Sequence, residues 1–138
     1  MLQLTIRRVE ADTVTDLGDD PLTAVHTRSA GLPARVRLPS GRDVLADLTN
    51  LAVRDLGGLV EVTQPPDLDG LLIVIEAATV AAARADVDAM AHDDTLRDAL
   101  AALPKDRRRE LDDLLAGLRR VVPQAAANRQ MVALVYEG

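Results

Sequence analysis

The chain of 138 residues contains no cysteine, no phenylalanine and no tryptophan, and its one aromatic ring is Tyr136. Without cysteine there is no disulfide framework, no thiolate metal site and no thiol nucleophile, which fits a reducing compartment and makes the cytoplasm the expected location. Without aromatic rings there is no stacking platform of the kind that holds single-stranded nucleic acid. The core has to be aliphatic, packed closely from Leu, Val, Ile and Ala. Lysine is also nearly absent: of 16 basic residues only Lys105 is lysine, an arginine bias that, with abundant Ala, Asp, Leu and Val, points to a GC-rich coding genome. Against them stand 22 acidic residues and a net charge of −6, which disfavours capture by a phosphate backbone, so nucleic acid is not the expected partner.

Long apolar runs are missing as well. The longest, Leu71–Ile75 and Ala77–Ala83, fall far short of the roughly 20 residues of a membrane helix. The opening Met1–Arg8 lacks the apolar core and small-residue cleavage site of a secretion signal and reads as a strand. What the chain does have is 48% hydrophobic and 28% charged residues, a composition that folds and buries a core. The length suits a single domain over residues 1–138, with residues 94–122 forming a helical hairpin that is a candidate appendage.

The expected class is α+β, with mostly antiparallel sheet in the N-terminal half. Leu2, Leu4 and Ile6 alternate with Gln3, Thr5 and Arg7, the period of a strand with one wet face. Residues 16–21 read as a turn and Thr23–Arg28 as a second strand. Pro39-Ser40-Gly41 predicts a hairpin between residues 34–38 and 42–48, and Asp55-Leu56-Gly57-Gly58 a hairpin between residues 51–54 and 59–63. A stiff connection, Gln64–Gly70 with two prolines, leads to Leu71–Ile75, an unbroken apolar run that reads as a central strand covered on both faces.

Beyond it the chain turns helical. Val80, Ala83, Val87 and Met90 keep helical spacing within a helix at about 77–90. Asp94 reads as the N-cap of a helix over 95–103, and Pro104 opens another over 104–121 that Pro123 ends. Arg108 with Asp112 and Arg109 with Asp113 are spaced to pair along it. A final strand spans 130–136.

The chemistry-bearing residues form no recognisable catalytic set. His26 lies on an expected strand and His92 at a helix end. Ser29 and Ser40 sit in turn sequence outside any nucleophile elbow, and Glu61 and Glu76 flank the proline pair without a defined separation. Asp12, Asp16, Asp19 and Asp20 lack the spacing of a calcium loop, and Gly57, Gly58 and Gly70 match no phosphate-loop pattern. Arg107-Arg108-Arg109 points in three directions around a helix and reads as a solvated face. No metal ligand and no cofactor is nominated.

Two resemblances follow from local sequence. Residues 95–120, with Leu103-Pro104 followed by Arg108-Arg109 and Leu111, resemble the terminal dimerisation helices of MarR-type repressors. That resemblance implies a DNA-associated regulator, although no winged helix-turn-helix precedes the segment. Residues 29–90 carry Gly31-Leu32-Pro33-Ala34-Arg35-Val36, Gly58-Leu59-Val60, Pro66 to Gly70, the aliphatic strand and Val80-Ala81 in order. In this they resemble small uncharacterised proteins of phage and prophage genomes. A tyrosine often seen in that family's strand is absent here, and the resemblance brings no site residue with it.

The leading expectation is therefore a non-enzymatic interaction or assembly protein that self-associates through a sheet edge or through its helices. Leu111, Leu114, Leu115, Leu118 and Tyr136 are its candidate interface, set against the plainer reading that the leucines cover the chain's own sheet and Tyr136 plugs the core. The alternative is a small-molecule binder or enzyme with a charged pocket drawn from Arg35, Arg37, Arg54 and Glu76.

Overall fold

The computed structural model describes residues 2–63 and 71–138. The α+β class holds: five strands form one antiparallel sheet, and five α-helices pack around it among the described residues. The strands are β1 (Leu2–Val9), β2 (Ser29–Leu38), β3 (Val60–Thr63), β4 (Leu71–Ile75) and β5 (Met131–Glu137), in the spatial order β2-β1-β5-β4-β3. The helices are α1 (Pro21–Arg28), α2 (Val44–Ala52), α3 (Val80–Ala91), α4 (Asp94–Ala101) and α5 (Lys105–Ala127).

The last strand in sequence is the middle strand in space. β5 pairs on one side with β1, Leu4 opposite Tyr136 and Ile6 opposite Leu134, and on the other with β4, Ile73 opposite Leu134. Six of its residues, Met131 to Tyr136, are buried, because a strand with neighbours on both edges and covered faces has no wet side.

One face of the sheet carries the main core. Leu4, Ile6, Val36, Leu38, Ile73, Ile75, Val132, Leu134 and Tyr136 pack there against the apolar stripes of α2 to α5. On α5 that stripe is Leu111, Leu114, Leu118, Val121, Val122 and Ala125, the three- and four-residue spacing that keeps one helix face on the sheet. Where α5 crosses β1 and β2 the contact is close. A Cβ on Gly117 would stand 2.8 Å from Ile6 Cδ1 and 3.2 Å from the Ala34 Cβ. Within residues 94–122 it is α5 that lies against the sheet and supplies much of its core, while α4 packs on α2 and α5. The opposite face holds a smaller cluster of Val9, Leu17, Val25, Leu72, Val74, Met131, Ala133 and Val135. It also buries Thr5, so the face of β1 expected to be wet is wet only in part.

Several expected strands are helices. Thr23–Arg28 belongs to α1, which starts because Pro21 fits the first helical position and the Asp20 carboxylate accepts the Thr23 N–H at 3.3 Å. His26 consequently sits on a helix. The turn at Pro39-Ser40-Gly41 forms as expected, with Gly41 at φ +66° and its N–H donating to Leu38 O at 3.0 Å. It delivers the chain into α2 instead of a return strand. Asp43 caps that helix by accepting the Ala46 N–H at 3.1 Å, and Val44, Leu48 and Ala52 are buried at helical spacing.

The 51–54/59–63 hairpin is absent for the same reason: Leu51 and Ala52 end α2, and β3 pairs with β4, Val60 opposite Val74. The connection 64–70 lies outside the described residues. Leu71–Ile75 is the expected interior strand, with Leu72 to Ile75 buried.

The helices after it match with shifted ends. A short 3₁₀ turn at Ala77–Thr79 leads into α3, and Val80, Ala83, Val87 and Met90 are its buried face. The cap of α4 is Asp93, which accepts the Leu96 N–H at 3.0 Å, so Asp94 is the first helical residue. Pro123 does not end α5, which continues to Ala127. The stop comes later and needs no glycine. Arg129 takes φ +55° while its N–H and that of Gln130 return to Ala126 O and Ala125 O, at 3.4 and 2.9 Å.

Candidate functional site

The residues proposed as an interface are interior. Leu111, Leu114, Leu115 and Leu118 lie in the core between α5 and the sheet, with Leu114 0% exposed. Tyr136 is 6% exposed and plugs the core with a bonded hydroxyl. Its O–H donates to Asp43 Oδ1 at 2.5 Å and accepts the Leu45 N–H at 3.1 Å. The ring thus ties the central strand to the first turn of α2, where Leu45 N–H has no partner within the helix. Burial and the bond to Asp43 push the hydroxyl pKa far above its ordinary value.

Two of the four acids of the N-terminal loop are spent on local structure. The Asp16 carboxylate accepts the N–H groups of Asp12 and Thr13, and Asp20 caps α1. Among the described residues no cluster of three potential metal ligands forms. His26 Nε2 lies 3.3 Å from Glu137 on the sheet, and His92 closes α3. Of the expected helical ion pairs, neither Arg108 with Asp112 nor Arg109 with Asp113 forms. Arg107 instead approaches Asp47 on α2 at 3.7 Å.

Two clefts collect charge, and they divide the residues expected to share a pocket. The first, of about 860 Å³, is bounded by α2, the loop after it and α3, and holds Arg54 and Asp86. Arg54 Nη1 donates to Asp86 at 3.2 Å, and the other oxygen of Asp86 accepts the Gly57 N–H at 3.0 Å. Its cation is already matched. Glu76 lines neither cleft; its carbonyl accepts from the N–H and hydroxyl of Thr79, both at 2.9 Å.

The second cleft, of about 600 Å³, lies between the outer edge of β2 and the N-terminal half of α5. Its strand wall carries Arg35 and Arg37, and its helix wall Asp106, Arg109, Glu110 and Asp113. Arg35 and Arg37 stand opposite Thr5 and Gln3 of β1, on the face away from α5, while Ala34, Val36 and Leu38 turn toward the helix. The free edge of the strand therefore runs between the two walls.

Glu110 is 5% exposed and is held by Ser40, whose N–H donates at 3.3 Å and whose hydroxyl lies 2.9–3.0 Å from both carboxylate oxygens. Among the described residues the guanidiniums of Arg35, Arg37 and Arg109 make no ion pair and donate no hydrogen bond. Arg7 lies on the Arg35 face of the sheet. Burial, opposed by Glu137 and reinforced by Arg35, draws its pKa below the ordinary arginine value.

Arg35 and Arg37 were legible as pocket residues, whereas Asp106, Arg109, Glu110 and Asp113 were not. The walls are brought together across about 70 residues, as the Ser40–Glu110 contact records, and no linear spacing encodes that. Glu110 did carry one signal: it stands four residues before Leu114, beside the apolar stripe.

The edge itself is guarded. Pro33 withholds a backbone donor, the register with β1 shifts between Ile6 and Arg8, and Arg120 Nη2 donates to Leu32 O at 3.2 Å. Leu32 next to it is 88% exposed. Beyond Pro33, residues 34–38 carry no strand on their outer side among the described residues. No helix among the described residues is long and apolar enough to cross a membrane. The chain matches no protein-family model, no curated protein and no solved structure.

Proposed function

We propose that the chain is a non-enzymatic interaction protein that takes an extended segment of a partner protein along the edge of β2, in the cleft between that edge and α5. One observation carries this reading: among the described residues the guanidiniums of Arg35 and Arg37 line the strand wall of one cleft without an ion pair or donated hydrogen bond, beside a strand edge with no neighbour. Strand addition supplies what is missing on both counts. The partner's backbone pairs with residues 34–38 and its side chains meet the guanidiniums.

Self-association through β2 fits less well. Edge-to-edge pairing of two copies sets Arg35 and Arg37 among their own counterparts, and like charges opposed across a strand pair destabilise it. A different protein is the expected partner. The proposal is for binding rather than turnover because Ser40, the hydroxyl beside the cleft, is engaged with Glu110, and neither histidine lines the cleft.

The cleft volume also falls within the range of small-molecule sites, so a small polyanion is the second reading. Selection from a library of extended peptides, followed by amide hydrogen exchange on the bound protein, separates the two. Protection concentrated on residues 34–38, with weaker binding to Arg37→Glu, supports strand addition. Binding of a small tricarboxylate that leaves those amides exchanging as before supports the second reading. A library that yields no segment protecting those amides overturns the first.

A further inference from the structure

The two walls of the cleft carry different charge, and the pleat of a strand converts that difference into a sequence pattern. Arg35 and Arg37 are two residues apart on one face of β2, about 7 Å along the strand. A strand laid beside β2 has the same period, so its alternate side chains stand opposite these two arginines, and the side chains between them turn toward α5. There they meet Asp106 and Asp113, with Arg109 between them and Glu110 already engaged by Ser40.

We infer that the segment recognised at β2 carries acidic residues at positions two apart with a basic residue between them, an acid-base-acid alternation in extended conformation. This rests on the strand-addition reading of the cleft. It adds the charge pattern of the ligand and its register, the two acids against Arg35 and Arg37 and the base against the acidic helix wall. A run of like charge does not satisfy both walls, and neither does the same composition in another order.

The test uses three short fluorescent peptides on one Thr/Val background, with the charged core in the order Glu-Lys-Glu, Glu-Glu-Lys or Lys-Glu-Lys. Binding is read by anisotropy on the whole chain and location by amide exchange at residues 34–38. The alternating acid-base-acid peptide binds about tenfold more tightly than the permuted one, because permutation removes one cross-strand charge pair and also sets a lysine against an arginine and a glutamate against the acidic helix wall. In the double variant Arg35→Glu/Arg37→Glu this preference is lost. Both positions are exposed, and a melting curve confirms that the variant folds.

If all three peptides protect residues 34–38 equally, strand addition stands and the charge pattern is overturned. If none protects them, the strand-addition reading fails together with the pattern.

Discussion

Replacing Tyr136 by phenylalanine removes one oxygen atom from the interior and exposes the logic of the α2 junction. The hydroxyl donates to the Asp43 carboxylate and accepts the Leu45 N–H at 3.1 Å, both at the N-terminus of α2. Its loss forfeits a bond to a charged acceptor, and it leaves a buried N–H with nothing to donate to, since Leu45 is 2% exposed. A hydrogen bond to a charged group is worth about 1.5–3 kcal/mol, and an orphaned buried donor costs about 1–3 kcal/mol. These overlap in part because Asp43 keeps its bond to the Ala46 N–H. The expected destabilisation is about 2–3 kcal/mol, or roughly 6–12 °C in melting temperature for a chain of this size. A double-mutant cycle with Asp43→Ala, followed by urea unfolding, should give a coupling of about 1–2 kcal/mol.

The same hydroxyl predicts the alkaline limb. Its folded pKa is raised above the unfolded value of about 10. Below that pH both states hold the proton and the contribution is complete. Above it the unfolded chain releases the proton first, so stability falls as pH rises. Because Tyr136 is the only aromatic ring, tyrosinate absorbance reports this group alone. Wild type should show none until it unfolds, and Tyr136→Phe should lack this part of the alkaline loss. A phenylalanine variant within about 0.5 kcal/mol of wild type, or a tyrosinate signal growing in the folded chain near pH 10, would refute the junction as described.

Two further substitutions test the packing. Gly57→Ala should cost about 2–4 kcal/mol by thermal melt, because φ is +76° and the new Cβ would fall 2.6 Å from Ala83 N and 2.9 Å from Thr79 O, backbone atoms that cannot step aside. A loss below about 1 kcal/mol would mean that the loop relaxes away from α3. Leu114→Ala should cost about 2–5 kcal/mol and leave the molecular mass in light scattering unchanged. A variant of full stability whose assembly state changes would return the α5 leucines to an interface role.

The elements legible in the sequence were those whose pattern admits one period. Leu71–Ile75 is too short for a helix and too apolar for a surface strand, and the leucines of α5 repeat at three and four over several turns. The misread stretches were short and ambiguous. Val44-Leu45-Ala46-Asp47-Leu48 is a short apolar run broken only by Asp47, which fits a strand, yet Val44, Leu48 and Ala52 also mark a helical face. The deciding feature was the carboxylate of Asp43 just ahead of it, as Asp20 decided for α1. Pro123 misled in the other direction. A helix anchored by Val121, Val122 and Ala125 in the core retains enough packing to absorb one missing N–H. The interior character of β5 was signalled by its unbroken apolar run Met131–Tyr136, but which strands flank it had no local signature, since pairing partners are a property of the assembled sheet. The cleft shares that character: its strand wall could be guessed from Arg35 and Arg37, its helix wall only from the fold.

The features that guard β2 also define what it can accept. An edge strand with exposed apolar side chains would pair indiscriminately, and β2 does expose Leu32, but Pro33 and the Arg120 bond to the Leu32 carbonyl close that end to pairing. Farther along, the guard is charge alone. Arginines on an edge repel a second copy of themselves and attract the complementary sign, so on the strand-addition proposal this one device disfavours self-assembly while admitting a heterologous acidic strand. The acidic wall of α5 narrows the choice again, because a segment bearing only acids gains at the arginines and loses at Asp106 and Asp113. Selectivity in such a site comes from the order of charges more than from their number. Two walls of opposite bias on either side of one strand edge are what that requires.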